Sequence, residues 1–454
     1  MRSSNESILG ITGLTLGILA VFFVFGWFNV RSVLGLTLLV GLVLLFGDHL
    51  WSAALLIPLS IPLGLATTLL IGRSYEYEIT AVEIVLLLLS TGAMYALLWQ
   101  RVQEGDRSRT EIWFAWCIVL AIASLLWVED FAKYLVAVRV IIYQFLAFFC
   151  ARLFLNHRSA RDWVMRILPL VVAVVSLQLL FELANLGTIR RILIERSFIE
   201  TPVGAMAFVV AIIVLLLPLT IVQGYRSHGI GRWWAWTASA MGVVAVLGSI
   251  GKAALLVMAI SLAYLFTQMG KRRMFVRRGA VAVILFFIMA SGGSLAPTLL
   301  IERFANITGD VSSKFRIEEA RTALQVFIQH PIVGVGAGNL KHYFQRALNG
   351  YSGESNVVLA QVAAEFGLVG LMLLVALVLS MRQRIHALNH HVVGHENRLL
   401  LLGFKASLIA AAVHGFLEVT FFGLAYGVLF WFLVGMMDGW VSLESPLRRG
   451  RGLG

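Results

Sequence analysis

Cysteine and charged residues are both scarce in this chain of 454 residues, where cysteine occurs twice and charged residues make up 13%. Hydrophobic residues make up 59%, so the composition excludes a water-soluble globular protein. Cys117 and Cys150 lie in apolar stretches, where cysteine acts as a small hydrophobe. Two such residues exclude a disulfide framework and a CxxC metal site.

The charges that are present favour the positive sign, with 36 Lys and Arg against 24 Asp and Glu, a formal net charge of +12. These basic residues are scattered between apolar stretches instead of lining one face, which argues against nucleic-acid binding. In a membrane protein, an excess of this kind is typical of cytoplasmic loops.

Apolar stretches long enough to cross a bilayer run through most of the chain. A spanning helix needs about 20 apolar residues, because its backbone polar groups must be satisfied within the segment. The sequence therefore predicts an all-α polytopic membrane protein with about 12 to 14 transmembrane helices. The predicted spans lie near residues 8–26, 33–47, 51–72, 80–100, 112–128, 134–155, 163–184, 202–223, 233–249, 252–269, 279–299, 357–380, 399–416 and 420–440.

The Lys/Arg bias of the short loops predicts the orientation of these spans. If the spans alternate, the basic loops fall on one side, which should be cytoplasmic and should hold both termini. We therefore divide the chain into four regions: a transmembrane bundle (1–299) with an external Arg-rich loop (185–201), a large external loop (300–356), C-terminal transmembrane helices (357–440), and a basic cytoplasmic tail (441–454).

The external loop 185–201 breaks the charge bias, because it carries Arg190, Arg191 and Arg196 beside Glu195 and Glu200. One interpretation is a solvated interfacial loop with local ion pairs. The other is an anion site, because guanidinium groups hold phosphate through paired hydrogen bonds and would suit a lipid-linked diphosphate.

The second external region contains an amphipathic pattern over residues 311–330, with Phe315, Ile317, Ala320, Leu324 and Phe327 towards one side. Pro331 disfavours helical geometry at His330, so the helix should end there, before the glycine-rich loop IVGVGAGN. His330 is either a structural surface residue or a general base for a sugar hydroxyl. The glycines of the loop permit positive φ, and a backbone nest for phosphate is the alternative.

Other charges carry weaker expectations. Arg316 lies about 21 Å from His330 along a continuous helix, so it either docks the helix on the bundle or holds another part of a long substrate. Arg303 is a further candidate for substrate contact or for an interfacial role. Charges within spans are costly, and we expect Lys252 and Arg139 to be secondary diphosphate contacts. His414 and Glu418 lie one turn apart, a spacing at which they can pair.

Two motifs of the chain resemble those of a known family. Arg316 is followed after fourteen residues by His330-Pro331-Ile332-Val333-Gly334-Val335-Gly336, with Asn339 shortly after, and this run resembles the HPxxGVGxGN signature loop of the O-antigen ligase and polymerase superfamily. The run Ala363-Ala364-Glu365-Phe366-Gly367-Leu368-Val369-Gly370 is similar to the family's AExGLxG motif.

The resemblance implies a GT-C-type membrane glycosyltransferase of the bacterial inner membrane, with a long helical periplasmic loop and an active site facing the periplasm. Such enzymes transfer a glycan from undecaprenyl diphosphate without a cofactor, a metal or a nucleotide sugar. The resemblance assigns the loop histidine to His330 and the motif arginine to Arg316, with Gly334, Gly336 and Asn339 in the same loop. It assigns the upstream diphosphate arginine less firmly, to Arg191 or Arg196. The chain departs from the family pattern at Ser355-Asn356 and at Ser249-Ile250-Gly251-Lys252.

Within the family, the activity we expect is ligation of O-antigen onto a hydroxyl of lipid A-core oligosaccharide, with inversion at the anomeric carbon. An O-antigen polymerase or a protein O-oligosaccharyltransferase would carry a similar loop. A membrane transporter is the alternative of a different class. It is disfavoured because no convincing internal repeat relates the two halves of the chain.

Overall fold

The computed structural model describes residues 54–63, 65–71, 75–80, 82–83, 85–87, 89–90, 108–155, 158–186, 200–201, 203–270, 311–347, 357–418 and 420–444. The predicted spans at 8–26, 33–47 and 279–299 lie outside these residues. The same holds for Arg190, Arg191, Arg196 and Arg303.

The described chain is built mostly from α-helices, which confirms the predicted all-α polytopic membrane fold. The helices are α1 (Leu56–Ser60), α2 (Arg109–Ala123), α3 (Phe131–Phe154), α4 (Arg158–Leu186), α5 (Met206–Arg226), α6 (Gly229–Ser249), α7 (Lys252–Gln268), α8 (Val311–Gln329), α9 (Leu340–Ala347), α10 (Val358–His391), α11 (His395–Leu417) and α12 (Leu424–Glu444). Seven helices in the described residues are long and apolar enough to span a membrane, and Lys252–Gln268 is a shorter apolar helix.

Two antiparallel hairpins accompany these helices in the described residues. Strands β1 (Leu65–Ile71) and β2 (Tyr75–Thr80) form one, and β3 (Glu200–Thr201) and β4 (Gly204–Ala205) form the other. The first hairpin corrects the predicted span at 51–72, where the helix ends at Ser60. Pro62 lacks the amide that a longer helix needs, and the β-branched Thr67, Thr68 and Ile71 favour a strand.

The core of the bundle lies around α5 and α12, the two most deeply buried spans. The largest fully buried side chains include Trp440, Tyr426 and Phe432 of α12 and Phe148 of α3. Glycines allow α12 to approach its neighbour closely, because a Cβ at Gly435 would lie 2.2 Å from the carbonyl oxygen of Phe148. The α3–α12 pair therefore packs backbone against backbone.

Polar contacts define two opposite ends of the bundle. At one, which we call the Arg-rich end, buried Asp438 of α12 accepts a hydrogen bond from Ser108 at 2.8 Å and forms ion pairs with Arg152 and Arg384 at 2.9 Å. At the other, which we call the His330 end, α8, α9 and the glycine-rich loop pack on the α2–α3 connection and on α10. Arg161 of α4 stacks on Trp440 and Arg384 contacts Asp438, so both lie at the Arg-rich end. Residues 382–384, which were predicted as a loop, lie inside α10, because this helix continues to His391.

Candidate functional site

His330 is held by its backbone while its side chain is exposed. Helix α8 ends at Gln329, one residue from the predicted position, and Pro331 follows His330. The His330 amide donates to the Val326 carbonyl at 2.9 Å, and its carbonyl accepts from the Gly334 amide at 3.1 Å. The imidazole thus projects into solvent from a fixed main chain, as a group that exchanges protons with a substrate must.

The loop after His330 is inserted into a break in the spanning helix α10. Gly367 interrupts this helix with φ 61° and ψ −154°. The amides of Val335 and Gly336 donate to the carbonyls of Ala364 and Glu365 at 3.0 and 2.8 Å. In the opposite direction, the amides of Leu368 and Val369 donate to the carbonyls of Pro331 and Ile332 at 2.8 and 3.2 Å. The two motifs of the sequence are therefore one structural unit.

Two glycines make this insertion possible. A Cβ at Gly334 would lie 2.3 Å from the carbonyl carbon of Glu365, and a Cβ at Gly367 would lie 2.4 Å from that of Ile332. Both residues also have positive φ, at 68° and 61°, which L side chains rarely adopt. Each glycine is required by conformation and by close approach at once.

The far side of the loop is fixed to the start of α3. The Asn339 carboxamide oxygen accepts from the Asp130 amide at 3.0 Å, and the Ala337 amide donates to the Ser124 hydroxyl at 3.1 Å. Gly338 lies against the carbonyl of Lys133. Asn339, which is fully buried, therefore positions the loop.

Most amides of the loop are already used within the protein. Those of Gly334, Val335, Gly336 and Asn339 donate to backbone carbonyls, and that of Ala337 donates to a hydroxyl. A nest needs free amides that converge on the anion. These contacts argue against a phosphate nest in this loop, and they favour a role of its glycines in shape and packing.

Arg316 docks α8 onto the end of α11. Its guanidinium donates to the Leu417 carbonyl at 2.9 Å and to the Glu418 carboxylate at 3.0 Å. Of the two roles predicted for Arg316, these contacts favour docking. Glu418 thus pairs with Arg316 and not with His414, whose ring lies 3.4 Å from the Thr420 hydroxyl. The pairing of His414 with Glu418 that the spacing allowed is thus replaced by an ion pair with a long-range partner.

The buried face of α8 also differs from the prediction. Leu324 and Ile317 are 57% and 55% exposed, whereas Glu319 is 1% exposed and packs inward with Ala323 and Val326. Ile317 and Leu324 of the predicted stripe therefore lie on the exposed side, whereas Phe315, Ala320 and Phe327 are partly buried. Apolar periodicity identifies the face of a helix that packs on the protein only when the opposite face meets water, because an apolar face can also lie in a membrane interface.

Lys252 and Arg139 occupy separate positions in the bundle. Helix α6 ends where Ile250 adopts a left-handed φ of 51°. Gly251 follows, and Lys252 then begins α7. Arg139 of α3 forms an ion pair with Glu83 at 3.2 Å, and Glu83 is almost fully buried. Their role as diphosphate contacts stays a prediction.

A polar cluster centred on Glu129, which the sequence did not single out, lies beside the loop. Glu129 accepts from the Tyr343 hydroxyl at 3.2 Å and lies 3.3 Å from the His342 ring and 3.9 Å from Arg346. Burial, followed by the nearby Glu129 carboxylate, raises the pKa of Tyr343, so this phenol stays protonated and keeps donating. The cluster ties α9 to the α2–α3 connection.

Residues 236–375 match a family model described as O-antigen ligase. The match includes Arg316, His330, the glycine-rich loop and the Gly367 break. This match covers about a third of the chain and supports membership of the O-antigen ligase superfamily over these residues. No curated protein matches the chain. The family implies a glycosyltransferase-like membrane enzyme that handles polysaccharide and lipid-linked substrates.

Proposed function

We propose that this superfamily member is an O-antigen ligase. It transfers a polysaccharide from undecaprenyl diphosphate to a hydroxyl of lipid A-core oligosaccharide at the periplasmic face of the bacterial inner membrane. The observation that carries the proposal is the exposed imidazole of His330, held by a loop that is inserted into a broken spanning helix. The His330 end then faces the periplasm, and the Arg-rich end and both termini face the cytoplasm.

The surroundings of His330 suit substrates carried by lipids. Ile332 and Val333 of the loop are 66% and 38% exposed, and Leu368 and Met372 of α10 are 49% and 63% exposed. Because Leu368 bonds directly to the loop, this apolar surface runs from beside the imidazole onto the spanning helix. A lipid-linked donor in the bilayer could therefore bring its sugar to the histidine.

The proposed reaction is a single displacement. A nitrogen of His330 takes the proton of the acceptor hydroxyl while its oxygen attacks the anomeric carbon. The bond from that carbon to the diphosphate oxygen breaks, and its electrons leave with the diphosphate. Guanidinium groups stabilise that charge, and Arg191, with Arg190 and Arg196, is our first candidate. Attack opposite the leaving group inverts the anomeric centre, and no step requires a metal.

The test compares the parent protein with His330→Ala in lipid vesicles that contain undecaprenyl-diphosphate glycan and lipid A-core. Gln329→Ala is the matched control, because this exposed neighbour lies outside the proposed chemistry. We expect glycosylated lipid A-core from the parent and the control, with at least about a hundredfold less from His330→Ala. Equal product from all three proteins would reduce His330 to a structural role.

The same vesicles distinguish the alternatives within and outside the superfamily. A longer glycan on undecaprenyl diphosphate would identify a polymerase, and product only on an added protein acceptor would identify an O-oligosaccharyltransferase. Solute movement across the vesicle membrane without any glycan transfer would identify a transporter. A retained anomeric configuration would contradict the single displacement.

A further inference from the structure

A cavity lies at the Arg-rich end, far from His330. Its volume is about 760 Å³, and it is bounded by α7, α10 and α11. Arg382 lines it from α10, fifteen residues beyond Gly367, which corresponds to about 22 Å along a helix. The cavity is therefore separate from the candidate active site.

The polar part of the cavity is basic. Arg382, His386 and Lys405 line it together with the neutral Gln383 and Asn389. Among the described residues that line it, none is acidic. The Lys405 ammonium donates to the Asn389 carboxamide oxygen at 2.5 Å, and this bond holds its charge at the cavity wall. Such a wall favours an anion.

The other part of the cavity is apolar. Leu379, Leu408 and Ile409 line it, and Leu379 is 50% exposed. A basic region beside an apolar wall matches a ligand with a charged head and hydrocarbon chains.

The depth of the basic region matches the level of lipid headgroups. Gln383 accepts a hydrogen bond from Arg109, the first residue of the spanning helix α2, at 3.3 Å. This contact places Gln383, and with it the neighbouring Arg382, where a transmembrane segment begins. Basic pockets between transmembrane helices at this level bind anionic headgroups.

We propose that this cavity binds an anionic phospholipid, with its phosphate between Arg382 and Lys405 and its acyl chains along Leu379 and Leu408. A soluble phosphate would use the basic residues but would gain nothing from the apolar wall. The site does not depend on the glycan transfer proposed above.

The test uses native mass spectrometry of the full-length protein in detergent with added phosphatidylglycerol, with phosphatidylcholine of the same chains as the neutral comparison. We expect Arg382→Gln and Lys405→Gln each to weaken phosphatidylglycerol binding by about fivefold. Arg398→Gln is the matched control, because this exposed arginine of α11 does not line the cavity. It should leave the affinity unchanged.

A second variant tests the cavity without changing its charge. Ala412 lines the cavity, so Ala412→Trp should fill it and displace the lipid. Equal binding of phosphatidylcholine and phosphatidylglycerol would overturn the proposal, as would full phosphatidylglycerol binding by Ala412→Trp. Equally tight binding of glycerophosphoglycerol, which has no acyl chains, would assign the site to a soluble phosphate and overturn the lipid proposal.

Discussion

Substitution of Gly367 by alanine should release the glycine-rich loop from helix α10. Gly367 combines φ 61° with ψ −154°, a region that costs a non-glycine residue about 1–3 kcal/mol. In addition, the new Cβ would lie 2.4 Å from both the carbonyl carbon and the carbonyl oxygen of Ile332. The loop must move away, and each backbone hydrogen bond that it loses contributes a further ~0.5–1.5 kcal/mol.

Gly394→Ala provides a matched control for this prediction. Gly394 has φ 92° and ψ 148°, so it carries a comparable backbone penalty, but a Cβ there meets nothing within 4 Å. Both variants should therefore lose about 1–3 kcal/mol from conformation. Only Gly367→Ala should add the loss of one or two loop hydrogen bonds, for a total of about 1.5–6 kcal/mol at the loop.

Hydrogen exchange of the purified protein measures this difference locally. The four reporters are the amides of Val335, Gly336, Leu368 and Val369, which join the loop to α10. In Gly367→Ala their exchange should accelerate by more than about tenfold, since 1.4 kcal/mol corresponds to a factor of ten. In Gly394→Ala it should not change. Unaltered protection of all four amides in Gly367→Ala would refute the argument that close approach requires glycine.

Three further perturbations follow from the ion pairs and caps. Arg316→Gln removes the contacts with both Leu417 and Glu418, so it should reduce glycan transfer more than Glu418→Gln, which removes only the ion pair. A loss in Arg316→Gln with none in Glu418→Gln would instead indicate a substrate contact. Asp438→Asn should lower the unfolding free energy by about 3 kcal/mol in thermal denaturation, whereas Arg321→Gln, which breaks an exposed pair, should cost below about 1 kcal/mol. Burial opposes ionisation of Asp130, but hydrogen bonds from Lys133 and Ala132 outweigh it and hold its pKa below the ordinary 3.8. The ionised Asp130 carboxylate therefore stabilises the fold above pH 3.8, and this stabilisation is lost as the pH falls through its lower pKa in the folded protein. Melting temperatures compared across pH should show this loss in the parent protein but not in Asp130→Asn.

Local sequence signals predicted the elements of the site well. The end of α8 followed from Pro331, because proline restricts the residue before it and cannot continue the hydrogen-bonded ladder. The positive φ values at Gly334, Gly336 and Gly338 followed from the glycines themselves. Such features depend on neighbours in the sequence, so they could be predicted without knowing the fold.

Long-range partners could not be predicted in this way. Glu418 had a partner at helical spacing in His414, yet Arg316 reaches it across 102 positions of the chain. The helix break at Gly367 gave no distinct signal either, because an isolated glycine in an apolar helix is also compatible with close packing. Its role depends on which loop lies opposite, and apolar periodicity does not identify neighbours.

The break in α10 and the loop that fills it depend on each other. A spanning helix with an interruption leaves carbonyls and amides without partners, and in or near the bilayer each such group costs several kcal/mol. Ala364, Glu365, Leu368 and Val369 carry these groups, and the loop satisfies all four. In turn, the loop amides of Val335 and Gly336 find their acceptors in α10. His330 is consequently fixed to a transmembrane helix and not to a mobile surface segment. A general base at a membrane surface requires such a fixed position, because small displacements of a catalytic group can cost orders of magnitude in rate.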